Sequence, residues 1–254
     1  MKVFGIIPAR YASTRFPGKP LVKLQGRSMI EWVYRRASRV FKRVAVATDD
    51  ERIAGEVKGF GGDVVMTSLL HASGTDRCAE ALPLMQERYG EQADVVINIQ
   101  GDEPFTDVTL LHRLASCFDD PAAQIATAVC PIGSRNDLFN PNCVKVVISA
   151  SGRALYFSRS VIPYVRGHEQ EQWLQQHTFY RHLGLYAYRA NALLGLTKFE
   201  RSSLETTESL EQNRWLENDC YIRVIQTDGV SISIDTPDDL VKAEKWLETH
   251  PMTP

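Results

Sequence analysis

The sequence predicts an α/β fold in which a largely parallel sheet is followed by a mixed or antiparallel extension. Three observations carry this. From residue 3 to about residue 130, short apolar runs alternate with amphipathic stretches, the pattern of strands joined by helical crossovers. Beyond residue 130, strand-like segments follow one another without helices between them. Two of the apolar runs end abruptly in charged loops, at the place where open α/β sheets bind ligands.

The first strand is read at Val3–Ile7, and the next four at Val44–Ala47, Val64–Met66, Val95–Ile99 and Ile125–Val129. Helices are read between them at Met29–Arg39, Glu51–Lys58, Thr75–Tyr89 and Thr109–Phe118. Trp32, Val33, Arg36 and Ala37 show the three-to-four spacing of a helix. In the second half, strands are expected at Cys143–Ser149, Ala154–Phe157, Leu183–Tyr188 and Tyr221–Gln226, with a helix over Leu204–Glu217. Thr236-Pro237-Asp238-Asp239 has the chemistry of a helix start and opens a last helix at Pro237–Glu248. Segment 164–178, rich in Gln, Glu and His, is expected to be a mobile loop. With no repeat or long linker, the 254 residues are read as one domain.

Composition excludes several classes. A net charge of −2 gives no basic field for nucleic acid or an acidic membrane. No apolar stretch approaches the ~18 residues of a membrane span, and no basic leader precedes a cleavable apolar core. The cysteines, Cys78, Cys117, Cys130, Cys143 and Cys220, are scattered without a Cys-x-x-Cys pair. They read as reduced thiols of a cytosolic protein. Gly18-Lys19 is followed by Pro20, so there is no Walker A loop, and Gly59-Phe60-Gly61-Gly62 precedes a strand instead of following one. No Gly-x-Ser-x-Gly elbow occurs.

The loop after the first strand holds Arg10, Arg15 and Lys19 with two prolines and a glycine. Cations this close to a core call for an anionic partner or water, and a polyphosphate is the simplest one. The strand Val95–Ile99 runs into Gln100-Gly101-Asp102-Glu103-Pro104. Asp102 there suits magnesium, which needs one or two carboxylates when phosphates and water complete its shell; the same shape also serves a turn or helix cap. Asp235 ends another apolar stretch, and two aspartates from separate strand ends can share a metal. Asp238 and Asp239 fit the first turn of a helix. In Tyr180-Arg181-His182-Leu183-Gly184-Leu185-Tyr186, strand parity sets His182, Gly184 and Tyr186 on one face, and Leu183 and Leu185 on the other. His182 and Tyr186 suit a polar pocket or a solvated strand equally. Glu211 and Gln212 suit hydroxyl recognition or, more plainly, a wet helix face. Arg77 lies at a helix start, which favours an anion or a base carbonyl.

Taken together, Pro8-Ala9-Arg10 to Gly18-Lys19-Pro20-Leu21, Ser73-Gly74-Thr75-Asp76-Arg77, Gln100 to Pro104, Ala154 to Arg159, Arg181-His182-Leu183-Gly184 and Leu210-Glu211-Gln212 occur in one order. In this the chain resembles the 3-deoxy-manno-octulosonate cytidylyltransferase (CMP-Kdo synthetase) family, from residue 3 to about residue 248. The resemblance implies a nucleotide-diphospho-sugar transferase fold, a Rossmann-like three-layer sandwich with a mixed central sheet. It implies a nucleotide-binding half over about 1–130 and a sugar-binding and dimerising part over about 131–230. The implied reaction is CTP and 3-deoxy-manno-octulosonate (Kdo) giving CMP-Kdo and diphosphate for lipopolysaccharide, in a cytoplasmic homodimer with Mg2+. By motif, Pro8, Ala9, Arg10, Ser13, Arg15, Lys19, Arg77 and Gln100 would hold CTP. Asp102 and Asp235 would hold the metal, and Arg159, His182, Tyr186, Glu211 and Gln212 the sugar. Arg10, Lys19, Asp102 and Asp235 would be catalytic. A branch of the family that acts on 8-amino-Kdo carries Gln where this chain has Glu103, which favours Kdo here over that sugar or another acidic sugar such as sialic acid. A non-catalytic nucleotide sensor on the same fold would need the basic loop but not the two carboxylates.

Overall fold

Each apolar run of the first half forms a strand in the computed structural model, which describes residues 1–12, 16–228, 234–252 and 254. The chain packs as two compact units, Met1–Ala115 with Val230–Pro254, and Ser116–Gly229. The first unit contains, in order, β1 (Val3–Ala9), a small hairpin of β2 (Lys23–Leu24) and β3 (Arg27–Ser28), α1 (Met29–Ser38), β4 (Arg43–Thr48), α2 (Glu51–Gly59), β5 (Val64–Met66), α3 (Gly74–Tyr89), β6 (Val95–Asn98) and α4 (Val108–Ser116). Its four long strands lie in the order β6-β1-β4-β5, all parallel. After β1 the chain moves outward on one side to β4 and β5, then returns to place β6 on the other side. This reversal makes the carboxyl ends of β1 and β6 a topological switch point, where a crevice opens for ligand.

Local chemistry explains the elements. On α1, Met29, Ile30, Trp32, Val33 and Ala37 are buried at helical spacing. Arg36 is buried with them, its Nε donating to the Thr106 carbonyl at 2.8 Å. A capping box starts α3: the Ser73 hydroxyl accepts the Asp76 N–H at 3.1 Å, and the Asp76 carboxylate accepts the Ser73 N–H at 3.2 Å. Gly90, in the left-handed region at φ 62°, ends that helix.

The second unit contains β7 (Ile125–Pro131), α5 (Arg135–Phe139), β8 (Lys145–Ile148), β9 (Ala154–Ser158), α6 (Trp173–Gln176), β10 (Tyr180–Arg189), α7 (Ala190–Leu196), α8 (Ser203–Glu208), α9 (Glu211–Glu217) and β11 (Ile222–Gln226). Its pairing is mixed, as expected: β7 is parallel to β11 and antiparallel to β10, and β8 is antiparallel to both β10 and β9. The chain then returns to the first unit as α10 (Pro237–Thr249). There Ala243 and Leu247 pack with Leu24, Met29, Trp32, Phe105 and Ile234.

Three features differ from the sequence expectation. The helix expected over 204–217 is broken at Ser209, whose φ of 51° ends α8. Segment 164–178, expected to be a mobile loop, holds a 3-10 turn at Gln170–Gln172 and then α6. Trp173 anchors it, buried against Ile132, Leu138, Cys143 and Phe179; one large apolar side chain outweighs its polar neighbours. The third is a bulge in β10, where His182 opposes Val129 but Tyr186 already opposes Thr127. Four residues of β10 thus span two of β7. The two extra residues preserve parity, so His182 and Tyr186 share a face and become near neighbours, while Leu183 and Leu185 are buried.

Replacing Trp173 by Ala should cost about 3–5 kcal/mol, the range for a large aromatic in a core. Thermal melts would read the loss, and amide exchange should rise across residues 164–178. Unchanged exchange in that segment would show that Trp173 does not anchor it.

Candidate active site

β1 delivers Pro8, Ala9 and Arg10 to the switch point. The loop that follows turns at Gly18, whose φ is 71° and where a Cβ would meet the Tyr11 ring at 3.0 Å. Glycine is required there on both grounds. Gly18 caps a 3-10 turn, Lys19–Leu21, with Pro20 in its first turn. That turn aims Lys19 back across the end of β6. Its Nζ donates to Asp102 Oδ2 at 2.6 Å and to Asp235 Oδ1 at 3.0 Å.

The two aspartates are held by backbone. The Ile234 N–H donates to the Asp102 carbonyl at 3.0 Å, tying the segment before α10 to the turn after β6. Asp239 Oδ2 accepts the Asp235 N–H at 3.3 Å, the Thr236 N–H at 3.1 Å and the Thr236 hydroxyl at 2.8 Å. Asp239 is therefore more than a dipole-compensating residue: through this box it fixes the backbone that carries Asp235. A Cβ at Gly101 would come within 3.2 Å of the Pro8 carbonyl, so glycine lets the ends of β1 and β6 approach closely.

A cleft of about 320 Å³ opens here, lined among others by Pro8, Ala9, Arg10, Lys19, Arg77, Gln100, Asp102 and Asp235. The fold thus gathers eight of the residues expected at the nucleotide and metal sites. Ser13 and Arg15, also expected there, lie outside the described residues. The sequence reading missed His71 and Ser73, which also line the cleft. The signal for both was their place in and beside the motif that contains Arg77. His71 Nε2 is bonded to Glu80, which also accepts the Ser68 N–H at 2.8 Å.

Charge sets the cleft's character. Burial opposes the Lys19 charge, but Asp102 first, and then Asp235, outweigh it and hold the ammonium pKa above its ordinary value. Arg77 is tied from behind, with Nη2 donating to Asp49 Oδ2 at 2.7 Å and Nη1 to the Thr67 hydroxyl at 2.6 Å. It sits in the first turn of α3, at the positive end of that helix's dipole.

The second unit carries the residues expected to hold the sugar, and among them it sets His182 beside Tyr186. The His182 ring lies 5.2 Å from Tyr186 and 5.0 Å from Phe157. Tyr186 packs edge-on against Trp215 at 5.1 Å. The Thr127 hydroxyl donates to the Leu185 carbonyl at 2.9 Å and sits 3.0 Å from His182 Nε2. A hydroxyl so engaged accepts from Nε2–H, which leaves Nδ1 as an acceptor. Burial pushes the His182 pKa down to about 3, so the ring is neutral. Burial, then Tyr188 and Glu211, raises the Tyr186 phenol pKa. Glu211 accepts from Arg214 at 3.0 Å, and Gln212 is buried on the same short helix, α9. Arg159 follows β9 directly, and its guanidinium donates to the Glu208 carbonyl at 2.7 Å and the Pro141 carbonyl at 3.0 Å.

Comparison with known proteins bears on the fold and the family. A family model described as cytidylyltransferase matches residues 4–225. The 3-deoxy-manno-octulosonate cytidylyltransferase of Parabacteroides distasonis is 54% identical over 251 residues, covering 97% of this chain and 98% of its own. That of Bacteroides thetaiotaomicron is 52% identical over 253 residues, covering 98% and 100%. A solved CMP:2-keto-3-deoxy-manno-octonic acid synthetase, complexed with CTP, superposes with a TM-score of 0.89 at 38% identity, over 98% of this chain and 100% of that one. The 4-diphosphocytidyl-2C-methyl-D-erythritol synthase of Anaerococcus prevotii, at TM-score 0.63 and 13% identity over 97% and 98%, shares the fold alone. The expected α/β nucleotidyltransferase fold is the one observed, and the chain belongs to the 3-deoxy-manno-octulosonate cytidylyltransferase family.

Proposed function

We propose that this protein activates Kdo by transferring CMP to it from CTP, with release of diphosphate. The observation that carries this reading is the convergence of Lys19, Asp102 and Asp235 at the sheet's switch point, in a cleft also lined by Arg10 and Gln100. In the reaction the anomeric hydroxyl oxygen of Kdo bonds to the α-phosphorus. The bond from that phosphorus to the bridging oxygen of the β-phosphate breaks, and the hydroxyl proton passes to solvent.

Little covalent chemistry falls to the protein in such a transfer; it positions groups and stabilises charge. Backbone at Pro8 and Ala9, with Arg77 and Gln100, holds the nucleotide. Arg10 and Lys19 stabilise negative charge on the departing diphosphate. The donor set at Asp102 and Asp235 fits magnesium, because two carboxylates already converge on one cation, the Lys19 ammonium. Among the described residues no third His, Cys, Asp or Glu joins them, which suits an ion that takes phosphate and water as its other ligands. Bound there, Mg2+ would neutralise α-phosphate charge and make the sugar hydroxyl more acidic. In the second unit, Arg159 suits the sugar's carboxylate. Neutral His182, with Tyr186, Glu211 and Gln212, suits its hydroxyls. We extend the proposal to a cytoplasmic homodimer serving lipopolysaccharide assembly, the setting that the family resemblance implies. Among the described residues no helix is long and apolar enough to cross a membrane.

Asp102→Asn keeps the side chain's size and removes its charge. Diphosphate release should fall at least ~100-fold, the scale of one lost electrostatic group, while the thermal midpoint moves by only a few degrees. Near-normal turnover in the folded variant would overturn the assignment of Asp102.

His182 gives a pH prediction. Its folded pKa of about 3 lies below its ordinary 6.5, so between these values the unfolded chain binds the extra proton. Stability must therefore fall as pH drops from about 6.5 toward 3. At pH 5 this group's share should be about 1–2 kcal/mol. A His182→Gln variant should lose less stability than the parent between pH 7 and pH 5 in chemical denaturation. Equal losses in the two proteins would mean that His182 is not held neutral.

A further inference from the structure

Glu208 ends α8 and makes none of the sugar contacts proposed above, yet it grips Arg159 at both ends. Its Oε2 accepts the Arg159 N–H at 2.9 Å, just past the end of β9, and its own carbonyl accepts Arg159 Nε at 2.7 Å. Its Oε1 accepts the Ser158 hydroxyl at 2.5 Å and the Tyr156 hydroxyl at 3.3 Å. Burial works against the Glu208 charge, but these bonds, with Ser158 and Arg159 foremost, bring its pKa below the usual carboxylate range.

Two more contacts complete the mount. The fully buried Lys145 ammonium donates to the Arg159 carbonyl at 2.5 Å, and to the carbonyls of Cys143 and Asn140 at 2.6 and 3.0 Å. Immediately after Glu208, Ser209 takes φ 51°, which turns its carbonyl toward Arg159 Nη2 at 3.4 Å and starts the chain into α9. Among the described residues the guanidinium thus donates to neutral carbonyls. Among the described residues no carboxylate forms an ion pair with it, because the nearby Glu208 carboxylate is engaged by two hydroxyls and a backbone N–H. The arginine is fixed in place by carbonyls, and the Glu208 charge acts on it only through space, so its remaining N–H groups can meet an external carboxylate.

We propose that Glu208 is the positioning residue of the sugar-acid site: it locks Arg159 to the α8–α9 corner, so that Arg159, Glu211 and Gln212 are presented together. This rests on the reading of Arg159 as the partner of the sugar's carboxylate. Glu208→Gln keeps the shape but puts an NH2 where a donor already points. The Michaelis constant for Kdo should rise roughly tenfold or more, the scale of a lost charged hydrogen bond. CTP affinity, measured by calorimetry with Mg2+, should stay within about twofold, which also shows that the variant is folded. Arg159→Ala should raise the Kdo constant too, and adding Glu208→Gln to it should change little more, because the two residues act as one unit. If Arg159→Ala weakens Kdo use and Glu208→Gln does not, or if the two effects simply multiply, the positioning role is overturned and the sugar-site reading stands. If Arg159→Ala leaves the Kdo constant unchanged, both fall. Should Glu208→Gln fail to bind CTP, Ser158→Ala, which removes the shortest contact and leaves the carboxylate, is read in the same cycle with the same criteria.

Discussion

The Lys19 ammonium between the carboxylates of Asp102 and Asp235 is the interaction around which the cleft is organised. These partners lie 83 and 216 positions from Lys19 in the chain. One contact therefore joins the loop after β1, the turn after β6 and the segment before α10. Without a cation between them, two carboxylates at this spacing would repel each other. Lysine and aspartate side chains alike keep some solvent contact, so the pair is a modest source of stability. Its value is geometric, since it holds two oxygen donors facing one point. Backbone hydrogen bonding, from Ile234 to Asp102 and from Asp235 and Thr236 to Asp239, sets that geometry before any ligand arrives.

The second unit follows another logic. Three of its polar residues are held by main-chain groups and neutral neighbours, although Glu211 is paired with Arg214. Lys145 and Arg159 are bound by carbonyls, and His182 is neutral beside Thr127. Such a site keeps charge and hydrogen-bonding capacity available to an acidic, hydroxyl-rich ligand. The bulge in β10 serves it directly, because two extra residues bring His182 and Tyr186 within ring contact without moving either to the other face.

Much of this could be read in the sequence, for physical reasons. Parallel strands are short apolar runs, and ligand-binding residues fall at their carboxyl ends. The places of Arg10, Lys19, Gln100 and Asp102 therefore followed from where Val3–Ile7 and Val95–Ile99 stop. Other features depend on contacts between residues far apart in the chain. Glu205 could be read as the capping-box partner of Ser202, but Glu208 has no such local role, and only the fold sets it against Ser158 and Arg159. Asp239 could be read as a helix-start residue, but not as the group that holds the Asp235 backbone. Trp173 was hidden by its polar surroundings, the Ser209 break by an otherwise helical pattern, and the bulge by intact parity.

The most direct test is diphosphate release from CTP, UTP, ATP and GTP, each with Mg2+ and each with and without Kdo. The account predicts rapid release from CTP with Kdo, and little from any triphosphate without the sugar. Release from CTP that does not depend on Kdo, or none from CTP with Kdo in folded protein, would contradict it.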